Sequence, residues 1–137
     1  MSLTELMKRY IAMWNEPDPD RRRAAIRQLW RADAVHLLQS PADIRDRAAS
    51  LGFDGPVLQA RGHDALEARV TRAYDEFVAP GAFVFRPRGD AGRLLDLVTF
   101  RWEMVPPGGG EVAGAGLEVL RLDAEDRIAA DYQFIEA

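Results

Sequence analysis

The sequence predicts an α+β domain, with three main helices in the N-terminal half and a mainly antiparallel sheet after them. Two observations carry this prediction: apolar residues recur every three or four positions in three stretches before residue 78, and from residue 83 they alternate with polar ones. The length of 137 residues is typical of one domain, whose core is large enough to enclose a cavity.

The first two helices have clear start signals. The first covers residues 3–14, where Ser2 and Glu5 fit a capping box. The second covers residues 19–30, after an Asp-Pro-Asp sequence that is typical of a helix N-terminus. Because the chain is acidic overall, the arginines of this helix are expected to form a solvated face. They are Arg21, Arg22, Arg23, Arg27 and Arg31.

A first strand is predicted at 33–39, ahead of an unusually long connection over 40–61. This connection is expected to hold a short helix at 41–50 and then a loose segment, and to act as a lid or a partner contact. The residues expected to break regular structure there are Gly52, Gly55 and Pro56. The third main helix covers 64–78 and ends at a Pro-Gly pair.

Strands are predicted at 83–85, 94–104, 111–122 and 128–135. In the second of these, every other residue is large and apolar, so that one face is expected to be buried. A proline- and glycine-rich turn separates the second from the third, and an acidic turn separates the third from the fourth. The sheet is therefore expected to be built mainly from hairpins.

Composition narrows the class of protein. The chain has 18 basic and 22 acidic residues and a net charge of −4, which disfavours a nucleic-acid binder. It has no cysteine, which excludes disulfides, thiolate metal sites and cysteine nucleophiles. The longest early apolar run, 10–14, is too short for a signal core or a membrane span. We therefore expect a cytoplasmic protein that contacts neither nucleic acid nor membrane.

Four stretches resemble the bacterial ketosteroid isomerases: MKRYI (7–11), ADAV (32–35), FRWEM (100–104) and DAEDRI (123–128). With the order of elements, they make the chain similar to the nuclear transport factor 2-like superfamily, which includes the SnoaL-like proteins. The resemblance covers nearly the whole chain, 1–137, except an inserted segment at 40–61. It implies a strongly curved sheet wrapped around the helices, a cystatin-like cone with an internal pocket. This fold hosts many activities.

The resemblance also implies roles for individual residues. Tyr10 falls on the position of the isomerase tyrosine and Glu118 on that of its protonated acid, which together hold an oxyanion. Leu38 falls on the position of the proton-moving aspartate, which disfavours the ketosteroid isomerase reaction. Arg101 and Glu103 mimic an epoxide hydrolase pair in spacing, but they alternate with apolar residues and are expected to be exposed.

Side-chain direction predicts which polar groups meet inside the cone. We expect Tyr10, His36, Glu118 and Asp131 to be catalytic, together with Gln133 as a binding residue. Tyr10 and Glu118 would polarise a substrate oxygen, since burial among apolar side chains raises the pKa of a carboxyl group and lets it donate. His36 and Asp131 would move protons, with the carboxylate orienting the ring.

The remaining wall of the predicted pocket is large and apolar. Its expected binding residues are Trp14, Leu38, Phe100, Trp102 and Met104. Gly114 and Gly116 would leave room for a ligand or for Trp102. No metal is expected, because there are only two histidines, without metal-ligand spacing. No cofactor is expected either.

Two functions follow from these expectations. The first is a SnoaL-like protein that binds a small, largely apolar or carbonyl-bearing molecule and performs cofactor-independent acid/base catalysis of isomerase, cyclase or hydratase type. The alternative is a non-catalytic, dimeric ligand-binding or protein-interaction domain. The alternative rests on Leu38 at the base position and on an apolar convex sheet face at Ala130, Tyr132 and Phe134, where a homodimer would form.

Overall fold

The computed structural model describes residues 1–39, 42–52 and 57–136, except the side chain of residue 44. The helices in this part are α1 (Leu3–Asn15), α2 (Pro19–Leu29), α3 (Ala42–Ser50) and α4 (His63–Ala73), which continues as a π-helical turn over Tyr74–Val78. The strands are β1 (Trp30–Gln39), β2 (Val57–Arg61), β3 (Val84–Leu94), β4 (Leu97–Val105), β5 (Gly114–Leu122) and β6 (Ile128–Glu136). This is the predicted α+β class, with the short α3 in addition to the three main helices.

The helix ends follow the signals in the sequence. The Ser2 hydroxyl accepts a hydrogen bond from the backbone N–H of Glu5 at 3.1 Å, and the Asp18 carboxylate accepts from the first turn of α2. Asn15 ends α1, and its amide bonds both backbone groups of Phe85, at 2.7 and 2.9 Å. This pair of bonds fixes α1 against strand β3.

Arg22 contradicts the prediction of a solvated arginine face on α2. It is only 2% exposed, donates to the Glu16 carbonyl at 2.7 and 3.2 Å, and lies with its guanidinium 4.6 Å from the centre of the Tyr74 ring. It also donates to the hydroxyl of Thr71. Two of these partners, Thr71 and Tyr74, lie in α4 and the turn that follows it. The charge pattern of α2 alone could therefore not predict the contacts.

The six strands form one mixed sheet in the order β2-β1-β6-β5-β4-β3. Strand β1 is parallel to β6, which places His36 beside Asp131 and Leu38 beside Gln133. The other neighbouring pairs are antiparallel, and β5 places Glu118 opposite Gln133. Residues far apart in sequence therefore share one face of the sheet, the inner face, which is the one covered by the helices.

The connection over 40–61 is more ordered than predicted where the structure describes it. Residues 57–61 form strand β2, which pairs antiparallel with β1, instead of continuing the predicted loose segment. The strand has only five residues, Val-Leu-Gln-Ala-Arg, and its two adjacent apolar residues do not give the alternation by which a half-buried strand is recognised. The predicted helix start at Pro41 and the breakers Gly55 and Pro56 lie outside the described residues.

The prediction that a strand begins at residue 94 is also wrong. Strand β3 continues from Val84 to Leu94, and the chain turns at Leu95, which has a φ of 55°. Pro87 lies within this strand, which is possible because β3 is an edge strand, where a missing N–H is tolerated. A leucine at positive φ gives no turn signal in the sequence.

The core lies between the helices and the inner face of the sheet. The apolar stripe of α1 is buried there, including Leu6 and Ile11, and it packs with Phe100 and Leu120 from the sheet. Within the described residues, none of the helices is both long and apolar enough to cross a membrane.

Candidate functional site

A cavity of about 580 Å³ lies between α1, α4 and the inner face of the sheet. Tyr10, His36 and Glu118, each at most 1% exposed, line its closed end, which we call the floor. Leu58 and Ile135, which are 46% and 37% exposed, line its open end. The walls between them are mostly apolar, as is usual for a pocket that binds a small organic molecule.

Glu118 is the central polar group of the floor. Its Oε1 accepts a hydrogen bond from Nε1 of Trp102 at 2.8 Å, whereas its Oε2 has no partner among the described residues. Burial, reinforced by the nearby Asp131 carboxyl, raises the pKa of Glu118 well above its ordinary value near 4.5. The raised pKa favours the protonated, neutral form of Glu118, and Oε2, the oxygen that does not accept from Trp102, is the one expected to carry the proton in that form.

Gly116 is what allows Trp102 to reach Glu118. A Cβ atom at Gly116 would lie 2.2 Å from Cζ2 of Trp102, far inside van der Waals contact. At Gly114 a Cβ would meet only the Met104 side chain, at an ordinary 3.5 Å from Cε and 3.8 Å from Cβ. The two glycines were expected to leave room for a ligand or for Trp102. Gly116 leaves room for the Trp102 indole, whereas Gly114 forms open cavity wall.

Tyr10 and Asp131 form the second polar pair. The Tyr10 hydroxyl donates to Oδ2 of Asp131 at 2.5 Å, while Oδ1 of Asp131 has no partner among the described residues. Burial and the two neighbouring carboxyls raise the pKa of Tyr10 well above 10. Asp131 is fully buried but does not line the cavity, so it can act on a ligand only through neighbours that do, of which Tyr10 is the one bonded to it most closely.

His36 is held by partners other than the expected Asp131. Its Nδ1 lies 2.9 Å from Nη1 of Arg69, and its Nε2 lies 2.6 Å from Oε1 of Gln133 and 3.6 Å from Oδ2 of Asp131. Burial lowers the pKa of His36, and the Arg69 charge adds to this while Asp131 opposes it. His36 is thus a neutral ring with both nitrogens engaged, which leaves no free lone pair for proton abstraction.

The structure brings most of the expected site residues to the cavity and places three behind its wall. Those that line it are Tyr10, Trp14, His36, Leu38, Trp102, Met104, Gly114, Glu118 and Gln133. Phe100 lies behind Tyr10, with ring centres 5.1 Å apart, Gly116 lies under Trp102, and Asp131 lies behind Tyr10. Arg69 was not expected, since nothing in the sequence separates it from the other helix arginines.

The epoxide hydrolase pair is not assembled. Arg101 and Glu103 lie on the face of the sheet away from the cavity, where Arg101 pairs with Glu136 and Glu103 pairs with Arg86. Both are engaged with surface charges, as their alternation with apolar residues predicted.

His36, Glu118 and Asp131 each bring one ligand-type atom within 4.8 Å of the others, a spacing that could suit a metal ion. The donor set does not fit one well. Because Arg69 donates to Nδ1, the ring proton sits on Nε2, the nitrogen that lies nearest Asp131. A metal on Nε2 would require the proton to move to Nδ1, against the guanidinium.

No family model and no curated protein matches the sequence. The fold recurs among solved structures. A candidate isomerase of the SnoaL-like family from Agrobacterium tumefaciens str. C58 has a TM-score of 0.77 at 22% identity, over 98% of this chain and 97% of that one. A nuclear transport factor 2-like protein of unknown function from Mesorhizobium loti has a TM-score of 0.63 at 19% identity, over 97% and 89%.

A third solved structure is described as having the cystatin-like fold. A protein of unknown function with a cystatin-like fold from Methylobium petroleophilum PM1 has a TM-score of 0.65 at 17% identity, over 98% of this chain and 76% of that one. The chain therefore has the SnoaL-like, nuclear transport factor 2-like fold that its sequence motifs resemble.

Proposed function

We propose that the cavity binds a small, largely apolar molecule carrying an acceptor oxygen, and that its floor performs cofactor-independent acid/base catalysis of isomerase, cyclase or hydratase type. One observation carries this proposal: Oε2 of the buried Glu118, at the floor of the cavity, accepts no hydrogen bond from the described residues, and the raised pKa of this carboxyl favours a proton on it. A buried, unpaired polar atom is costly to the fold. A ligand oxygen such as a ketone would satisfy it.

Glu118 supplies the acid. Oε2 is buried beneath the floor of the cavity, so a ligand oxygen would accept its proton once a small shift of the floor side chains exposes it, while Trp102 holds Oε1 and so fixes the direction of the carboxyl group. Negative charge that develops on the ligand oxygen would be stabilised in a space with few competing waters. Such an interaction strengthens as charge develops, which is what lowers a reaction barrier.

Tyr10 and Asp131 supply a base as a relay. The Tyr10 oxygen can take a proton from the ligand while its own hydroxyl proton passes to Oδ2 of Asp131, 2.5 Å away. One proton enters and one leaves Tyr10, so no phenolate forms, which the raised pKa of Tyr10 would oppose. This relay replaces the missing base at Leu38 and the expected role of His36.

The test is deuterium exchange into a ketone. Acetylnaphthalene is incubated with the protein in heavy water, and exchange of the methyl protons next to the carbonyl is followed by proton NMR. The protein should accelerate exchange over buffer, and Glu118→Leu should remove the acceleration. Arg121→Ala, at an exposed position on the opposite face of the same strand, is the matched control. Exchange at the buffer rate with the unaltered protein would exclude this chemistry.

The second candidate is a dimeric, non-catalytic ligand-binding or interaction domain. A group of apolar side chains, which we call the outer patch, lies on the face of the sheet away from the helices: Leu37, Leu117, Val119, Tyr132 and Phe134. Tyr132 and Phe134 are 41% and 43% exposed. Such a patch on three adjacent strands favours a homodimer. Both functions include ligand binding, but only the first includes catalysis. Acceleration of deuterium exchange therefore distinguishes the first function from the second.

A further inference from the structure

The hydrogen bonds around His36 have only one consistent direction. A guanidinium can only donate, so Arg69 Nη1, 2.9 Å away, must donate to Nδ1 of His36. The neutral ring then carries its proton on Nε2, and that N–H donates to Oε1 of Gln133 at 2.6 Å. Nη1 also lies 3.1 Å from the His36 carbonyl and 3.2 Å from the Leu58 carbonyl, which fasten the arginine in place.

This chain of bonds determines what Gln133 offers the cavity. Its amide oxygen is occupied by His36, so its NH₂ group is the part left for a ligand. Trp14 lies close by, with its ring centre 5.7 Å from that of His36. Its Nε1–H is buried and has no partner among the described residues. Gln133 and Trp14 both line the cavity; the Trp14 N–H is buried in the wall, where a small rotation of the indole would turn this donor toward a ligand.

We propose that Gln133 and Trp14 form a donor-only subsite that selects ligands with an acceptor oxygen, and that Arg69 sets its polarity through His36. The inference rests on the proposed function, since it specifies the ligand of the same cavity. The subsite is separate from Oε2 of Glu118, so the preferred ligand is an apolar molecule with two acceptor oxygens, such as a diketone or a keto ester. An amine or ammonium at this position would face only donors and be rejected.

The first test compares two probes of one shape. Acetylnaphthalene and isopropenylnaphthalene differ in a carbonyl oxygen against a methylene group, and quenching of tryptophan fluorescence reports their binding. In Glu118→Leu, where the acid donor is gone, the ketone should still bind about fivefold to tenfold more tightly, the worth of one neutral hydrogen bond. Adding Gln133→Leu should reduce this preference to about twofold or less.

Each outcome of the first test is decisive. Equal affinities for the two probes in Glu118→Leu would overturn the subsite but leave cavity binding intact. A preference that survives Gln133→Leu undiminished would overturn the role of Gln133. If neither probe binds the unaltered protein, the proposed function and the subsite both fall.

The second test addresses Arg69 as a positioning residue. In Arg69→Met nothing fixes Nδ1 as an acceptor, so the ring can exchange tautomers and the Gln133 amide can turn over. We expect the ketone preference to fall at least threefold, and Arg69→Lys, which can still donate, to restore it. Nitrogen NMR of labelled histidine reports which ring nitrogen of His36 carries the proton. An unchanged tautomer and an unchanged preference in Arg69→Met would overturn this role.

Discussion

In the middle of strands β5 and β6, some polar and apolar side chains lie on the opposite faces from those that they usually occupy in a sheet. On the inner face, Glu118 and Asp131 are fully buried carboxyl groups. On the opposite face of the same strands, Tyr132 and Phe134 are apolar groups more than 40% exposed to water. An antiparallel sheet normally buries its apolar side and solvates its polar side. Neither arrangement favours the stability of the isolated chain.

The comparison teaches that each face is shaped for something outside the chain. The buried Glu118 carboxyl, with one oxygen lacking a partner among the described residues, raises the free energy of the fold unless a ligand satisfies it. Exposed aromatic groups stabilise the protein by burial only when another surface covers them. The inner face is accordingly interpreted as a ligand site and the outer patch as a subunit contact.

The largest expected effect on the inner face comes from Glu118→Gln measured against pH. The folded-state pKa of Glu118 is raised, so the folded protein holds a proton that the unfolded chain loses above about 4.5. Its contribution to stability therefore falls as the pH rises from about 4.5 through the folded-state pKa. Gln cannot ionise, so the variant should gain relative stability by up to about 1.4 kcal/mol per pH unit within that window.

Urea denaturation of both proteins between pH 5 and pH 8, roughly the range over which most domains stay folded, measures this difference. The pKa of His36 is lowered, so its effect has the opposite sign: stability falls as the pH drops below about 6.5 through the folded-state pKa. His36 is present in both proteins, so to first order its effect cancels in the comparison. Parallel stability curves would mean that Glu118 is ionised like a surface acid.

The next effect concerns the contact that orients Glu118. Gly116→Ala places a Cβ 2.2 Å from the Trp102 ring, and a rigid indole must move to accept it. We expect the free energy of unfolding to fall by about 1–3 kcal/mol, the usual range for overpacking. Gly114→Ala, which meets only the end of Met104 at 3.5 Å, is the matched control and should stay within about 0.5 kcal/mol. Equal losses from the two substitutions would contradict the packing argument.

A smaller effect is expected from Tyr10→Phe. The substitution removes the hydroxyl that donates to Oδ2 of Asp131, while His36 Nε2–H, 3.6 Å away, can move to replace it in part. The loss should be about 1 kcal/mol in thermal or urea unfolding. Tyr132→Phe on the outer face removes an exposed hydroxyl and should change stability by less than about 0.5 kcal/mol. A neutral Tyr10→Phe would indicate that Asp131 does not depend on this bond.

Much of the site could be predicted from the sequence because strand parity is a local property. Alternation along β4 and β5 places Trp102 and Glu118 on the inner face, and the family resemblance placed Asp131 and Gln133 there against the local apolar pattern. The glycine opposite Trp102 could be recognised as missing bulk. These inferences needed the strand period, the order of elements and, for Asp131 and Gln133, the family resemblance.

Contacts between separate helices and strands could not be predicted from the sequence. No local pattern shows which side chain of one element meets which side chain of another. Arg69 reaches His36 from α4, and Arg22 reaches Thr71 from α2, yet both belong to helices with several similar arginines. Asp131 has the right parity but lies one layer behind the cavity, because the Tyr10 ring fills the space in front of it. Depth within a face depends on side-chain packing, which the strand period does not encode.

The smallest effect on stability is expected on the outer patch, where the effect on assembly should be large. Replacing Tyr132 and Phe134 together by lysine puts two charges where a second copy of the chain would pack. If the homodimer forms there, light scattering should give the mass of a dimer for the unaltered protein and of a monomer for the variant. Leu94→Lys, at an exposed position off the patch, should leave the mass unchanged. Because the two side chains already contact water in the monomer, its unfolding free energy should change by no more than about 0.5 kcal/mol each. An unaltered protein that is monomeric at tens of micromolar would remove the dimer, and the outer patch would then need another partner.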